Sequence, residues 1–72
     1  MTFIEGYTIT TYDGEDRPSV EIFLVDNEYL VDNLDTGKRD TVGDLEAAHE
    51  LAKAMRYRNQ YSYYSDRLNH VR

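Results

Sequence analysis

Fifteen residues decide the fold, VEIFLVDNEYLVDNL (20–34), in which two short apolar segments flank a polar one. Segments 20–25 and 29–34 are rich in β-branched and aromatic residues and have the length of ordinary strands. Between them, Asp26-Asn27-Glu28 has the composition of a tight turn. The stretch therefore predicts two antiparallel strands. The first is apolar on both of its faces after Glu21, which indicates a central strand or one whose second face is covered by the chain end.

The residues before this stretch predict one more strand. Between 2 and 12, Phe3, Tyr7 and Ile9 share one parity, which is the period-two pattern of a strand. The other parity is shared by Thr2, Thr8 and Thr10. Residues 13–18 have the composition of a loop. Together the segments predict a three-stranded antiparallel meander over residues 2–34.

A helix is predicted over residues 41–71, after a loop at 35–39. Thr41 is the expected N-cap, with Asp44 three residues later as a weak capping box. One apolar stripe at helical spacing is expected to pack on the sheet. It consists of Leu45, Ala48, Ala52 and Met55, widened by Leu51. The predicted fold class is α+β, with order β-β-β-α in one domain spanning residues 1–72.

A second stripe at helical spacing occupies the C-terminal part of the helical region. It consists of Tyr57, Tyr61, Tyr64, Leu68 and Val71. Leu45 and Tyr57 are separated by roughly 120° around an ideal helix, so one straight helix cannot bury both stripes on one sheet. Either the helix breaks near Asn59-Gln60 and a second short helix folds back, or the helix continues as an extension. In the second case the tyrosines are free for a partner or a second copy.

Size and composition exclude several classes of protein. Seventy-two residues form one domain with a thin core, and the chain has no cysteine to reinforce it. The two histidines cannot supply a structural zinc site. The longest strongly apolar run, residues 22–25, is far shorter than a membrane span. We therefore expect a protein of the reducing cytoplasm that does not bind membranes.

Charge is divided unevenly along the chain. Residues 1–50 carry thirteen carboxylates against three cations, a net charge of −10, whereas residues 51–72 have a net charge of +4. Such asymmetry is typical of proteins that bind charged partners. The acidic residues of the predicted loops and strands are expected to meet a protein with a basic surface. The candidate acidic contacts are Asp13, Glu15, Asp16, Asp26, Glu28, Asp32 and Asp35, and the candidate helical contacts are Tyr57, Tyr61, Tyr64 and Leu68.

No pattern of residues supports catalysis. The segment His49-Glu50-Leu51-Ala52-Lys53 has lysine where a zinc-protease helix needs its second histidine. The chain contains no cysteine nucleophile and no phosphate-binding glycine loop, and so small a domain has little interior in which to shift a carboxyl pKa. We expect no enzyme activity, no catalytic or metal-binding residue and no cofactor.

Two other functions remain open. The C-terminal tyrosines are interleaved with Arg56, Arg58 and Arg67, a combination that suits stacking on bases and pairing with phosphates. A small nucleic-acid-binding or regulatory protein is therefore an alternative, although overall acidity argues against free nucleic acid as the ligand. A self-associating structural protein, with the tyrosines forming a homodimer, is another.

In size, acidity, lack of cysteine and order of elements, the chain resembles the small inhibitor proteins that phages make against host machinery, of which anti-CRISPR proteins are the best-known group. The resemblance covers the whole chain in general character and transfers no site residue. It implies action by binding, with acidic surface presented where nucleic acid would sit. It also implies location in the host cytoplasm. The leading hypothesis is accordingly a non-enzymatic protein-binding domain that inhibits a nucleic-acid-handling complex.

Overall fold

A computed structural model describes residues 1–70, with side chains up to residue 66, and contains four strands followed by one helix over that range. The elements are β1 (Thr2–Thr10), β2 (Asp16–Val25), β3 (Glu28–Asn33), β4 (Arg39–Val42) and α1 (Leu45–His70). All neighbouring strands are antiparallel, in the order β1-β2-β3-β4. The predicted α+β class, with an antiparallel sheet followed by a helix, is confirmed, but the predicted number of strands is wrong.

The additional strand, β4, lies where a loop and a helix cap were predicted. Its Thr41 pairs with Leu30 of β3, and Val42 pairs with Tyr29. Thr41 therefore belongs to the sheet, and the prediction that it caps the helix is wrong. The cap is Asp44, whose side-chain Oδ1 accepts a hydrogen bond of 2.8 Å from the backbone N–H of Ala47.

Strand β2 begins earlier than predicted, so the expected loop at 13–18 is shorter. Pro18 lies within the strand, opposite Thr8, next to a break in the β1–β2 register between Tyr7 and Thr8. The pairing with β3 begins only at Val20, so Pro18 needs no N–H for that side of the ladder. The turn between β2 and β3 is formed by Asp26 and Asn27, both with positive φ (50° and 67°), as a two-residue antiparallel hairpin requires.

The core lies between α1 and one face of the sheet. Val20 and Ile22 of β2 and Val31 of β3 are fully buried there, together with Ala48 and Ala52 of α1. Met55 completes this cluster, so the predicted helical stripe is confirmed apart from Leu45, which is exposed. The small side chains of the two alanines let the helix approach the sheet closely.

Helix α1 continues past Asn59 and Gln60, so of the two alternatives the extension is correct and the break is not. Asn59 is buried and replaces an apolar residue on the sheet-facing side of the helix. Its side-chain N–H groups donate to Ser19 Oγ (2.7 Å) and to Asn33 Oδ1 (2.9 Å). Ser19 in turn donates to Asp35, which pairs with Arg17 at 2.8 Å. This polar network fixes the direction of the helix where the apolar core ends.

Polar side chains of α1 also cover part of the free edge of β1. Gln60 accepts a hydrogen bond from the backbone N–H of Thr10 (2.7 Å) and donates to its carbonyl (2.9 Å). Arg56 donates to the carbonyl of Thr8. These contacts replace those of a further strand, so this half of the edge is closed to pairing. Within residues 1–70, no helix combines the length and apolar character needed to cross a membrane.

Candidate interaction surfaces

The second face of the sheet is open, because nothing among the described residues packs over it. A row of apolar residues crosses it from β1 to β3. Phe3 pairs with Phe23, and Phe23 pairs with Leu30. The two phenylalanine rings meet edge to face with centroids 5.7 Å apart, and Phe3 remains 54% exposed. We call Phe3, Phe23 and Leu30 the aromatic row.

Gly6 makes room for this arrangement. A Cβ atom at this position would lie 3.4 Å from the Phe3 ring, which is tighter than most contacts of its kind. Glycine therefore lets the ring lie along the strand and beside Phe23. The geometry of the row is thus set by the backbone of β1 as well as by the rings.

An acidic row lies next to the aromatic row on the same face. Glu21 of β2 is directly opposite Asp32 of β3, and Asp32 in turn contacts Arg39 of β4 at 3.5 Å. Like charges directly opposite each other on a sheet are destabilising. Glu28, opposite Val25, adds an exposed carboxylate at the turn end of the same face. The open face therefore combines exposed aromatic surface with negative charge.

The structure separates the predicted acidic contacts into groups. Asp13, Glu15 and Asp16 are exposed in and beside the β1–β2 loop, whereas Asp26 lies in the turn at the other end of the sheet. Glu28 and Asp32 belong to the open face. Asp35 is half of the ion pair with Arg17 and accepts a hydrogen bond from Ser19, so its oxygens serve the fold.

The predicted tyrosine stripe is also divided. Tyr57 and Tyr61 are 72% and 67% exposed on the outer side of α1. Tyr64 donates a hydrogen bond of 3.3 Å to the carbonyl of Thr10 and so helps to anchor the helix to β1. The side chain of Leu68 and all of Val71 lie outside the described residues.

An aromatic cluster that the sequence did not predict lies at the far end of the sheet. Tyr12 stacks on Tyr63 with centroids 4.4 Å apart, and its hydroxyl donates to the Tyr63 carbonyl. Tyr64 meets Tyr12 edge to face at 5.0 Å, and the Arg17 guanidinium lies 5.6 Å from the Tyr63 ring centroid. No local pattern signals this cluster, because Tyr12 and Tyr63 are fifty-one residues apart.

His49 lies in a shallow groove between α1 and β1. Its Nδ1 is 2.6 Å from the Tyr7 hydroxyl and 3.3 Å from a Glu5 carboxylate oxygen. Burial and, secondly, the charge of Glu5 raise the pKa of the Tyr7 phenol above its ordinary value of 10.0. Through these polar contacts His49 links α1 to β1.

Among the residues that the structure describes, no three His, Cys, Asp or Glu side chains are placed to hold a metal ion. Comparison of the chain with protein-family models, with curated protein sequences and with solved structures finds no match. The surfaces themselves are therefore the basis for a functional proposal.

Proposed function

We propose that this chain is a non-enzymatic protein-binding domain whose open sheet face binds a partner with basic and apolar groups. The observation that carries the proposal is the like-charged pair Glu21–Asp32 beside the exposed aromatic row. Both features oppose the stability of the free domain, since Arg39 compensates one of the two carboxylates and leaves the other, and the exposed Phe3 ring leaves apolar surface in water. A basic partner that covers this face would relieve both.

The fixed positions of the carboxylates favour the open face over the loops as the binding site. Its carboxylates are carried on paired strands, so their spacing is fixed before binding and little order has to be gained. The exposed carboxylates at Asp13, Glu15 and Asp16 extend the negative field at one end and would speed the encounter with a basic surface. In the free protein the same charges oppose stacking of two open faces.

The action we propose in the host cytoplasm is inhibition of a nucleic-acid-handling complex. Surfaces that hold nucleic acid are rich in lysine and arginine, and a rigid acidic face would compete for them. The support is the fixed carboxylate row together with the net charge of −6. Direct binding of nucleic acid by α1 has less support. Arg56 is engaged with the β1 edge, and the side chain of Arg67 is outside the described residues.

The test uses two variants of the open face and one matched control. Glu21→Lys converts the like-charged pair into an opposite-charged one, so the fold is kept, and Phe3→Ser removes the most exposed ring of the aromatic row. Asp66→Lys makes the same change of charge at an exposed position of α1. Proteins captured from a bacterial lysate by the tagged chain are identified by mass spectrometry and purified, and the affinity of each variant is measured.

We expect Glu21→Lys and Phe3→Ser each to weaken the complex about tenfold or more, and Asp66→Lys to leave it within about twofold. The effect of Glu21→Lys should shrink as salt rises. Duplex DNA or RNA should displace the chain from its partner. Equal affinity of all three variants, or a complex unaffected by salt and nucleic acid, would show that the open face is not the binding site.

A further inference from the structure

The outer side of α1 carries a stripe of residues whose spacing reads the same in both directions. Its members are Ala47, Glu50, Ala54, Arg58 and Tyr61, separated by steps of three, four, four and three. Residues three and four apart lie on one side of a helix. Ala47 is half-buried and the other four are exposed. We call this set the symmetric stripe.

A second, antiparallel copy of the stripe is complementary to the first at every position. With a two-fold axis at Ala54, residue 47 of one copy lies level with residue 61 of the other, and residue 50 lies level with residue 58. Tyr61 then meets the small Ala47 of its partner, and Glu50 comes within reach of the partner's Arg58. Ala54 meets Ala54, where small side chains let two helices approach closely.

We propose that two copies of this protein associate through the symmetric stripe of α1, in antiparallel orientation. Neither Glu50 nor Arg58 forms an ion pair within the described part of the chain, so both charges are available. The antiparallel arrangement forms the same ion pair twice, as a two-fold interface requires. A parallel arrangement would bring like charges together.

The position of α1 in the fold supports the same arrangement. The stripe lies about 130° around α1 from the residues that face the sheet, so each acidic sheet is turned away from the contact. Repulsion between two chains that each carry a net charge of −6 is thereby reduced. Tyr57 flanks the stripe and is 72% exposed, and the dimer contact would bury part of its side chain.

The contact is short, because residues 47–61 span about 21 Å of helix. It therefore lies at the low end of interface sizes, and the dimer dissociates on dilution. This inference does not rest on the proposed function, since the open sheet face is not part of the contact. If both hold, the dimer presents two open faces outside the contact.

Sedimentation equilibrium over a range of concentrations tests the charge pairing. Arg58→Glu and Glu50→Arg should each weaken dimerisation about tenfold or more, whereas the double variant with both changes should return to within a few fold of wild type. Glu28→Arg, the same change of charge as Glu50→Arg at an exposed position on the opposite face of the sheet, is the control and should have little effect. Circular dichroism verifies that the helix is intact in each variant.

A cross-link tests the position of the axis. The chain has no cysteine, so Ala54→Cys introduces a single thiol at the proposed axis, where two Cα atoms can approach to the roughly 4.4–6.8 Å that a disulfide needs. We expect Ala54→Cys to oxidise to a dimer much faster than Glu28→Cys on the sheet. A monomer at all concentrations, a double variant that fails to restore association, or equal oxidation of the two thiols would overturn the proposal.

Discussion

The two faces of the sheet carry similar apolar residues, but α1 covers only one of them. On the covered face Val20, Ile22 and Val31 are fully buried. On the open face, larger side chains in the same strands remain partly in water, and Phe3 is 54% exposed. Burial of apolar area stabilises a fold roughly in proportion to the area removed from water. The smaller residues therefore hold the domain together, and Phe3 at the end of the aromatic row keeps about half of its surface for a partner.

The largest expected loss of stability is found by comparing substitutions at neighbouring residues of β2 that point to opposite faces. Ile22→Ala leaves a cavity against α1 and should lower the free energy of unfolding by about 2–5 kcal/mol. Phe23→Ala removes a larger side chain that is only partly buried and should cost less, about 1–2 kcal/mol. Urea unfolding followed by circular dichroism measures both. Equal losses would mean that the open face is part of the core.

A second comparison concerns the end of the covered face, where polar contacts replace apolar ones. Asn59→Ala removes the buried hydrogen bonds of its side chain to Ser19 and Asn33, which keep only their contacts with Asp35, and should cost about 1–3 kcal/mol. Ser62→Ala, an exposed change on the same helix, is the matched control and should be within about 0.5 kcal/mol of wild type. If the two variants unfold at the same urea concentration, the network does not anchor the helix.

Much of this comparison could be predicted from the sequence, because both β2 and β3 show their strand character locally. The turn at Asp26-Asn27 and the packing stripe of α1 were predictable for the same reason. Strand β4 was not. It has four residues, and Thr41 is equally suited to a helix cap. Only the edge of β3, a tertiary feature, decides that Thr41 pairs with Leu30.

The sequence predicted the open face less directly than it predicted strands β2 and β3. Glu21, Phe23 and Val25 share the parity opposite to the core, so an apolar second face was visible. Whether it was covered depended on the path of α1, which the sequence left undecided between a break and an extension. Asn59 settles that path through Ser19 and Asn33, which are forty and twenty-six residues away. Contacts of that separation leave no periodic pattern.

On the open face we expect one substitution to raise the free energy of unfolding slightly. Glu21→Lys replaces the repulsion with Asp32 by attraction and should raise the free energy of unfolding by about 0.2–1 kcal/mol. Glu28→Lys, opposite the neutral Val25, should change it by less than about 0.5 kcal/mol. A wild type as stable as Glu21→Lys would show that the acidic row places no cost on the free domain. It would thereby weaken the argument for a binding face.

The smallest expected effect on stability is a pH dependence that comes from Tyr7, on the sheet face that α1 covers. The pKa of Tyr7 is raised above 10.0, first by burial and then by Glu5, so the folded chain keeps this proton in a pH range where the unfolded chain releases it. The resulting stability is complete below pH 10 and is lost as pH rises towards the folded-state pKa. Tyr7→Phe removes the titrating group, so its free energy of unfolding should fall less steeply than that of wild type across this range.

Tyr57→Phe, at an exposed tyrosine away from Glu5 and His49, should keep the wild-type slope. Urea unfolding at several pH values on either side of 10 gives the three slopes. Parallel slopes for all three proteins would show that the contact between Tyr7 and the helix does not couple its ionisation to folding.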